Sequence, residues 1–480
     1  MKRLLCLALA SVALWPAPGR AAAQAAGYLK LVRDYADAMI AHGRDTYGTE
    51  HSPLFVEALD RKTLRMLEGE ALQKAAAIPF NAWGIRPHDR MLEGGNPQHC
   101  LNLYQILYAL SAVTGEKRYA DEADRSLKFF FQHCQSPGTG LLCWGEHAGW
   151  DFRTEKRIGK RAGDTHEFYR PWVLWDRSWQ LASEPCRRFA VGLWEHQIGD
   201  HRTGDYSRHA AIDAHGPDTD APYARHGGFY IETWATAYEK TRDAVFLKAI
   251  DTVLAGLERA RNHEGGMLIS GSKRGGGRTP YDVSLAVSLG NAADKVPADQ
   301  AAKMRAAAAA TDQAFAAAHA ERPAAADQGR SKSAGKSAAL WSNAYGGGPP
   351  VARANVCMLR YRQVPIEAYR TLVLKTADQY RTQEIDLSQP IWPGTMGSVI
   401  LLMLDARELS GDEKYLQTAE HFAQKGVELF LTGGPLPRAS HQHDHYEAVT
   451  NGDTLMLALL QLWQLRHRPE VKLRLVFCDR

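Results

Sequence analysis

Three stretches of this chain repeat one pattern, and the repetition limits the fold more than any single segment does. L-N-L-Y-Q-I-L-Y-A-L-S-A-V from Leu101 leads into T-G-E-K-R-Y at Thr114–Tyr119 and then A-D-E-A-D-R-S-L-K-F-F-F to Phe131. E-T-W-A-T-A-Y-E-K-T-R-D-A-V-F-L spans Glu232–Leu247, and S-V-I-L-L-M-L-D-A-R-E-L-S-G-D-E-K-Y spans Ser398–Tyr415. Each copy reads as helix, short polar turn, helix. Such a turn makes antiparallel neighbours, and the apolar face of each helix must be buried by the next hairpin. The chain has room for roughly six or seven such units, enough to close a ring. The expected fold class is therefore all-α, a ring of paired helices.

The ends of the chain add context. Met1-Lys2-Arg3, an apolar run from Leu4 to Trp15 and small residues from Ala21 to Ala26 predict a secretory leader over 1–25, with an A-x-A-like site at Ala23-Gln24-Ala25. The rest, 26–480, is expected to be one catalytic ring, and no later stretch is long and uncharged enough to span a membrane. Tyr28 to His42 has helical apolar spacing. The net charge of +4 falls to +1 once Lys2, Arg3 and Arg20 leave with the leader, which removes the electrostatic case for nucleic acid. Six cysteines remain after Cys6 is lost, none in C-x-x-C spacing, so buried thiols are the default. D-Q-G-R-S-K-S-A-G-K-S at Asp327–Ser337 has almost nothing apolar to bury and is expected to be a mobile surface insertion. Nothing in the sequence fixes the oligomeric state.

The densest set of groups able to bind a metal and handle a proton lies between Leu141 and His209. His147, Glu167 and His209 offer two imidazoles and a carboxylate, a set that suits a divalent transition metal and leaves positions open for substrate. Arg208 adjoins the last of them. The separations, 20 and 42 residues, are too long for a local clip, so the fold must converge them. Upstream, N-A-W-G-I-R-P-H-D-R places Arg86, His88 and Asp89 in a loop able to line a cleft. Downstream, H-Q-H-D-H-Y-E sets His441, His443 and His445 at alternate positions, on one side if extended, and forms a rival metal site or a His-rich substrate loop. Aromatic loops at Trp341–Pro350 and Gln389–Thr395 offer sugar-stacking faces or simple packing.

Three elements resemble the second polysaccharide-lyase family, metal-dependent pectate lyases with an (α/α) toroid fold. W-G-E-H at Trp144–His147 is similar to that family's Trp-Gly-x-His element, H-E-F at His166–Phe168 to its His-Glu element, and W-E-H-Q-I-G-D through S-R-H, Trp194–His209, to its Arg-His element. The resemblance implies His147, Glu167 and His209 as metal ligands, Arg208 as the base, a cofactor such as Mn²⁺, Co²⁺ or Ni²⁺, and an anionic polysaccharide or oligosaccharide substrate handled outside the cytoplasm. Trp144 and the loop residues Arg86, His88 and Asp89 are then expected to bind substrate, as are the three C-terminal histidines. Departures are Glu146 inside the first element, no Gly after His209, and a second Arg-His pair, Arg225-His226, that is a candidate for the same role or for substrate binding.

The implied reaction is β-elimination. In a 4-linked uronide the C5 proton becomes acidic when charge building on the adjacent carboxylate is stabilised, as a divalent cation does. Arg208 then acts as the base or as a carboxylate clamp. The competing classes are a glycoside hydrolase pairing Asp89 or Asp151 with Glu232, and a uronide-binding protein without catalysis.

Overall fold

The computed structural model describes residues 18–159, 165–217, 222–263, 265–271, 277–320, 340–343, 348–473 and 475–479. Most of the leader and the whole 327–337 segment lie outside the described residues. The helices are α1 (Pro18–Ala41), the short α2 (Gly69–Ala76) and α3 (Phe80–Trp83), α4 (Leu101–Thr114), α5 (Arg118–His133), α6 (Trp175–Leu181), α7 (Ser183–Gly192) and α8 (Ala224–Thr241). They continue with α9 (Ala244–His263), α10 (Val283–Ala293), α11 (Ala298–Ala320), α12 (Pro350–Gln363), α13 (Glu367–Thr382), α14 (Pro393–Ser410), α15 (Glu413–Gly426) and α16 (Gly452–His467).

The recurring polar turns share one geometry. Gly115, Arg242 and Gly411 take φ of 77°, 59° and 70°, and each N–H reaches back to the carbonyl of Ser111, Tyr238 or Arg407 at 2.8–3.0 Å. This is the left-handed C-cap that ends a helix and reverses the chain. It pairs α4 with α5, α8 with α9 and α14 with α15. Helices α10 and α11, and α12 and α13, also pair, without a left-handed cap between them.

An inner layer follows from the contacts α8 to α10 to α12 to α14 to α16, with α16 returning to α4. The short pair α6 and α7 bridges from α5 to α8. α14 is buried at every position from Pro393 to Ala406, as an inner helix with neighbours all round must be. α5 instead buries only one stripe, Tyr119, Ala123, Ser126, Leu127, Phe130 and Phe131, and forms part of the outer layer. The first helix closes the ring, packing against α16 as the outer partner of the last inner helix. The architecture is an (α/α) toroid, and no described helix is long and apolar enough to cross a membrane.

Among the described residues, eleven strands of two to four residues form five small sheets in the connecting loops. The aromatic loops are packing elements: Trp341 is 3% exposed against Tyr380 and Phe422, and Trp392 packs on the Trp83 and Ile85 cluster. The six cysteines are free and buried.

Candidate active site

The small sheets converge the three motifs. Thr165–His166 pairs antiparallel with Ala210–Ala211, with His166 opposite Ala210, so the next rung sets Glu167 beside His209 across 42 residues of sequence. W-G-E-H runs into the strand Ala148–Asp151, the middle of a three-stranded sheet with Gly94–Gly95 and Lys156–Gly159.

A buried hydrogen-bond line ties the motifs together. The Trp144 indole N–H donates to His166 Nε2 at 3.1 Å, so Nδ1 carries the ring proton and donates to Gln197 Oε1 at 2.6 Å. Gln197 Nε2 donates in turn to the carbonyl of Ser207, next to Arg208. Burial lowers the pKa of His166 to about 4 against the opposing pull of Gln197 and Glu167, which keeps this tautomer neutral. Trp144, expected from sequence to bind substrate, is therefore not exposed to one. It is fully buried among Phe130, Phe131, Phe168, Trp172, Trp175 and Phe189, and anchors the loop from below.

Gly145 explains the invading fit of the loop. Its φ is +117°, and a Cβ there would meet the Glu167 carbonyl oxygen at 2.5 Å and Cγ at 2.9 Å. Gly145→Ala should therefore displace Glu167 without touching a candidate ligand. We expect a loss of about 2–4 kcal/mol of stability and at least a tenfold weaker Mn²⁺ affinity, read by thermal melts and calorimetric titration. An unchanged affinity would contradict this close packing.

Around Glu167 the charged groups crowd, and its own carboxylate oxygens make no aligned hydrogen bond. Its carboxylate is fully buried, with His209 Nε2 at 3.2 Å, His147 Nε2 at 3.5 Å and Arg208 Nη1 at 3.6 Å. Glu146 Oε2 lies 3.6 Å from His147 Nε2 and 3.5 Å from Arg208 Nη2. Burial pushes Glu167 up, but His209, Arg208 and His147 outweigh it and hold its pKa at about 2. Glu146 is raised by burial and by Glu167 and Asp89, against the pull of Arg208 and His147.

These groups fit a divalent cation. His147 Nε2, His209 Nε2 and both Glu167 oxygens are buried without a hydrogen-bond partner, a costly state that coordination would relieve. Glu146, His147, Glu167 and His209 each offer a ligand atom, all within 4.8 Å of one another. Asp89 Oδ1 sits 2.9 Å from His147 Nδ1, but neither ring nitrogen of His147 makes an aligned hydrogen bond.

Arg86 and Asp89 therefore support the site instead of lining it. Arg86 donates to Asp89 at 2.6 and 3.1 Å and to Glu146 at 2.6 Å. His88 lies 3.4 Å from Asp89, its ring 5.3 Å from that of His147, and this trio forms a second, overlapping group of ligand type.

A cavity of about 180 Å³ opens beside the cluster. Glu146 and Arg208 share its wall with Phe168, Tyr169, Arg170, Arg225, Asn451 and Asp479. Arg225 lines it, with Nη2 donating to the Tyr169 carbonyl at 3.0 Å. His226 does not: it is fully buried, with Nε2 3.0 Å from the Phe168 carbonyl and its ring packed near Tyr223 and Phe229. The C-terminal histidines are not a metal site either. His441 accepts from Ile391 N, His443 binds Ser440 Oγ and packs on Trp83, and only His445 lies on a strand, paired with Glu447 at 2.9 Å. The turn between Ser440 and His443 breaks the extended alternation on which that reading depended.

The carboxylates of the hydrolase reading are engaged separately. Glu232 accepts from Ser288 and Asn291 at 2.9 Å each, Asp151 accepts from the turn amides of Arg153 and Thr154, and Asp89 serves His147 and Arg86. Tyr169, Arg170, Asn451 and Asp479 were not expected at the cavity. Arg170 follows the second motif by three residues from Glu167, a signal that was available, whereas Asn451 and Asp479 arrive from the far end of the chain.

His166 and His226 also set a pH dependence. Burial drives both below the ordinary histidine value, His226 well below it, with Arg225 and Arg208 adding to the effect. The unfolded chain then binds more protons, so this stability is fully present above pH about 6.5; the His166 part is lost as pH falls toward about 4, and the His226 part declines in the same direction. The melting temperature of metal-free protein should fall by a few degrees between pH about 7 and 5, with a flatter slope in His226→Phe. Equal slopes would refute the contribution of His226.

A family model described as periplasmic pectate lyase matches residues 83–246, the region holding all three motifs, so the resemblance holds there. Among solved structures, a D-mannose isomerase is similar with 10% identity, covering 92% of this chain and 97% of that one, at a TM-score of 0.47. A cellobiose 2-epimerase from Spirochaeta thermophila shares 9% identity over 95% of this chain and 98% of that one, TM-score 0.47. A polysaccharide lyase shares 10% over 92% of this chain and 53% of that one, TM-score 0.41. At such identity, the reactions named for those proteins carry no weight for this one.

Proposed function

We propose that this protein is a polysaccharide lyase that cleaves 4-linked uronate chains or oligosaccharides by metal-assisted β-elimination, acting in the periplasm or outside the cell. One observation carries the reading: buried His147 and Glu167 meet the partly buried His209 in a cluster that lies against Arg208, at the edge of a cavity that also presents Arg225. The match to a family described as periplasmic pectate lyase and the leader-like N-terminus support it.

His147, Glu167 and His209 would hold a divalent transition ion such as Mn²⁺, Co²⁺ or Ni²⁺, which stabilises charge developing on the uronate carboxylate at C5. Arg225 and the cavity wall bind and orient the chain by charge-assisted hydrogen bonds. Arg208 takes the C5 proton, the C–H electron pair becomes the C4–C5 double bond, the C4–O bond breaks, and the departing oxygen is protonated by solvent. A guanidinium is protonated at ordinary pH, so turnover through its neutral form should rise toward alkaline pH.

The test is incubation of purified protein with Mn²⁺, Co²⁺ or Ni²⁺ and a panel of galacturonan, glucuronan and ulvan-like chains, monitoring ultraviolet absorbance from unsaturated ends. Polygalacturonate is the first substrate to try. Absorbance that grows with metal is expected; silence on every uronide would overturn the proposal. Arg225→Ala should raise KM about 10- to 100-fold with kcat little changed, because a charge-assisted contact is lost from substrate binding. A fall in kcat at constant KM would instead move Arg225 into the chemistry.

A further inference from the structure

We propose that Glu146 is a fourth protein ligand of the metal, making a site of two imidazoles and two carboxylates; this rests on the metal reading above. The residue fills the variable position of the first motif, between a glycine that admits Glu167 and a histidine that faces it. Its two oxygens are divided. Oε1 accepts from Arg86 Nη2 at 2.6 Å, a full charge-assisted bond that fixes the side chain. Oε2 lies 3.6 Å from His147 Nε2 and accepts one long hydrogen bond, from Arg208 Nη2 at 3.5 Å. Charge-assisted bonds run at about 2.7–2.9 Å, so the longer approach to Arg208 leaves Oε2 lone pairs to share with a cation.

The second observation is independent of Glu146. His147 Nε2 and both Glu167 oxygens are buried and lack hydrogen-bond partners, and His147, Glu167 and His209 each bring one ligand atom within 4.8 Å of the others. Two carboxylates balance a divalent charge, and the additional hard oxygen shifts preference toward Mn²⁺ relative to softer ions. Six-coordination would still leave two positions for substrate.

Calorimetric titration of metal-stripped protein with Mn²⁺ and with Ni²⁺ tests this. Wild type should bind one ion. Glu146→Gln, whose amide oxygen can still accept from Arg86, should bind one ion with Mn²⁺ affinity weakened about 10- to 100-fold and Ni²⁺ affinity less so. His147→Ala should bind none at this site. Equal Mn²⁺ affinity in wild type and Glu146→Gln would overturn the assignment and leave three ligands, whereas no binding by wild type would overturn the metal reading itself. Matching metal-free melts for wild type and Glu146→Gln establish that folding is intact. If they differ, Glu146→Asp provides the check, because a shortened carboxylate should restore part of the preference for Mn²⁺; no restoration counts against coordination.

Discussion

Replacing Glu167 by Ala is expected to weaken divalent-metal binding at least about 100-fold and to lower turnover about 10³-fold or more. Glu167 is the fully buried carboxylate of the cluster, and it lies 3.2–3.6 Å from both imidazoles and from Arg208. Its loss would leave His147, His209 and Arg208 without the charge that holds them together. The fully buried position means a cavity also forms, so the variant should lose some stability as well. Glu167→Gln separates the effects, since it keeps volume and removes charge. Metal stoichiometry by elemental analysis and kcat on a uronate chain are the measurements. Retained metal and turnover in both variants would exclude Glu167 from the site.

The second large effect concerns Arg208. Arg208→Ala should lower kcat about 10²- to 10⁴-fold, the range for a lost general base, while metal affinity is retained. Arg208→Lys should keep part of the turnover, with a pH profile displaced toward the range where an amine is neutral. If Arg208 only clamps the substrate carboxylate, Arg208→Ala will raise KM and spare kcat, and the alkaline rise of wild type will be absent. The split between kcat and KM therefore distinguishes the two roles.

What the sequence reveals depends on the range of the interaction. The hairpins are legible because outer helices such as α5 carry an apolar stripe, inner ones such as α14 are apolar nearly all round, and the polar turn from Thr114 to Tyr119 returns at Ser410–Tyr415. Ring closure through α1 and α16 is not, because pairing the first helix with the last leaves no local mark. The ligand-type residues His147, Glu167 and His209 stand out as motifs, but Glu167 and His209 meet through the two-residue pairing of Thr165–His166 with Ala210–Ala211, too short to show strand periodicity. Trp144 reads the same in sequence whether it faces sugar or the core, and the indole bond to His166 decides for the core. His441, His443 and His445 fail as a group because alternation implies a common side only along a continuous strand, and the strand begins at His445.

Heavy-oxygen water tests the central claim most directly. Cleavage of a uronate chain by the metal-loaded protein in water enriched in the heavy isotope of oxygen, followed by mass spectrometry of the fragments, distinguishes elimination from hydrolysis at the broken bond. Elimination predicts a fragment lacking the elements of one water, carrying a double bond and no label from bond cleavage, once ordinary exchange at the reducing end is subtracted. A saturated pair of fragments with one labelled oxygen introduced per cleavage would contradict it.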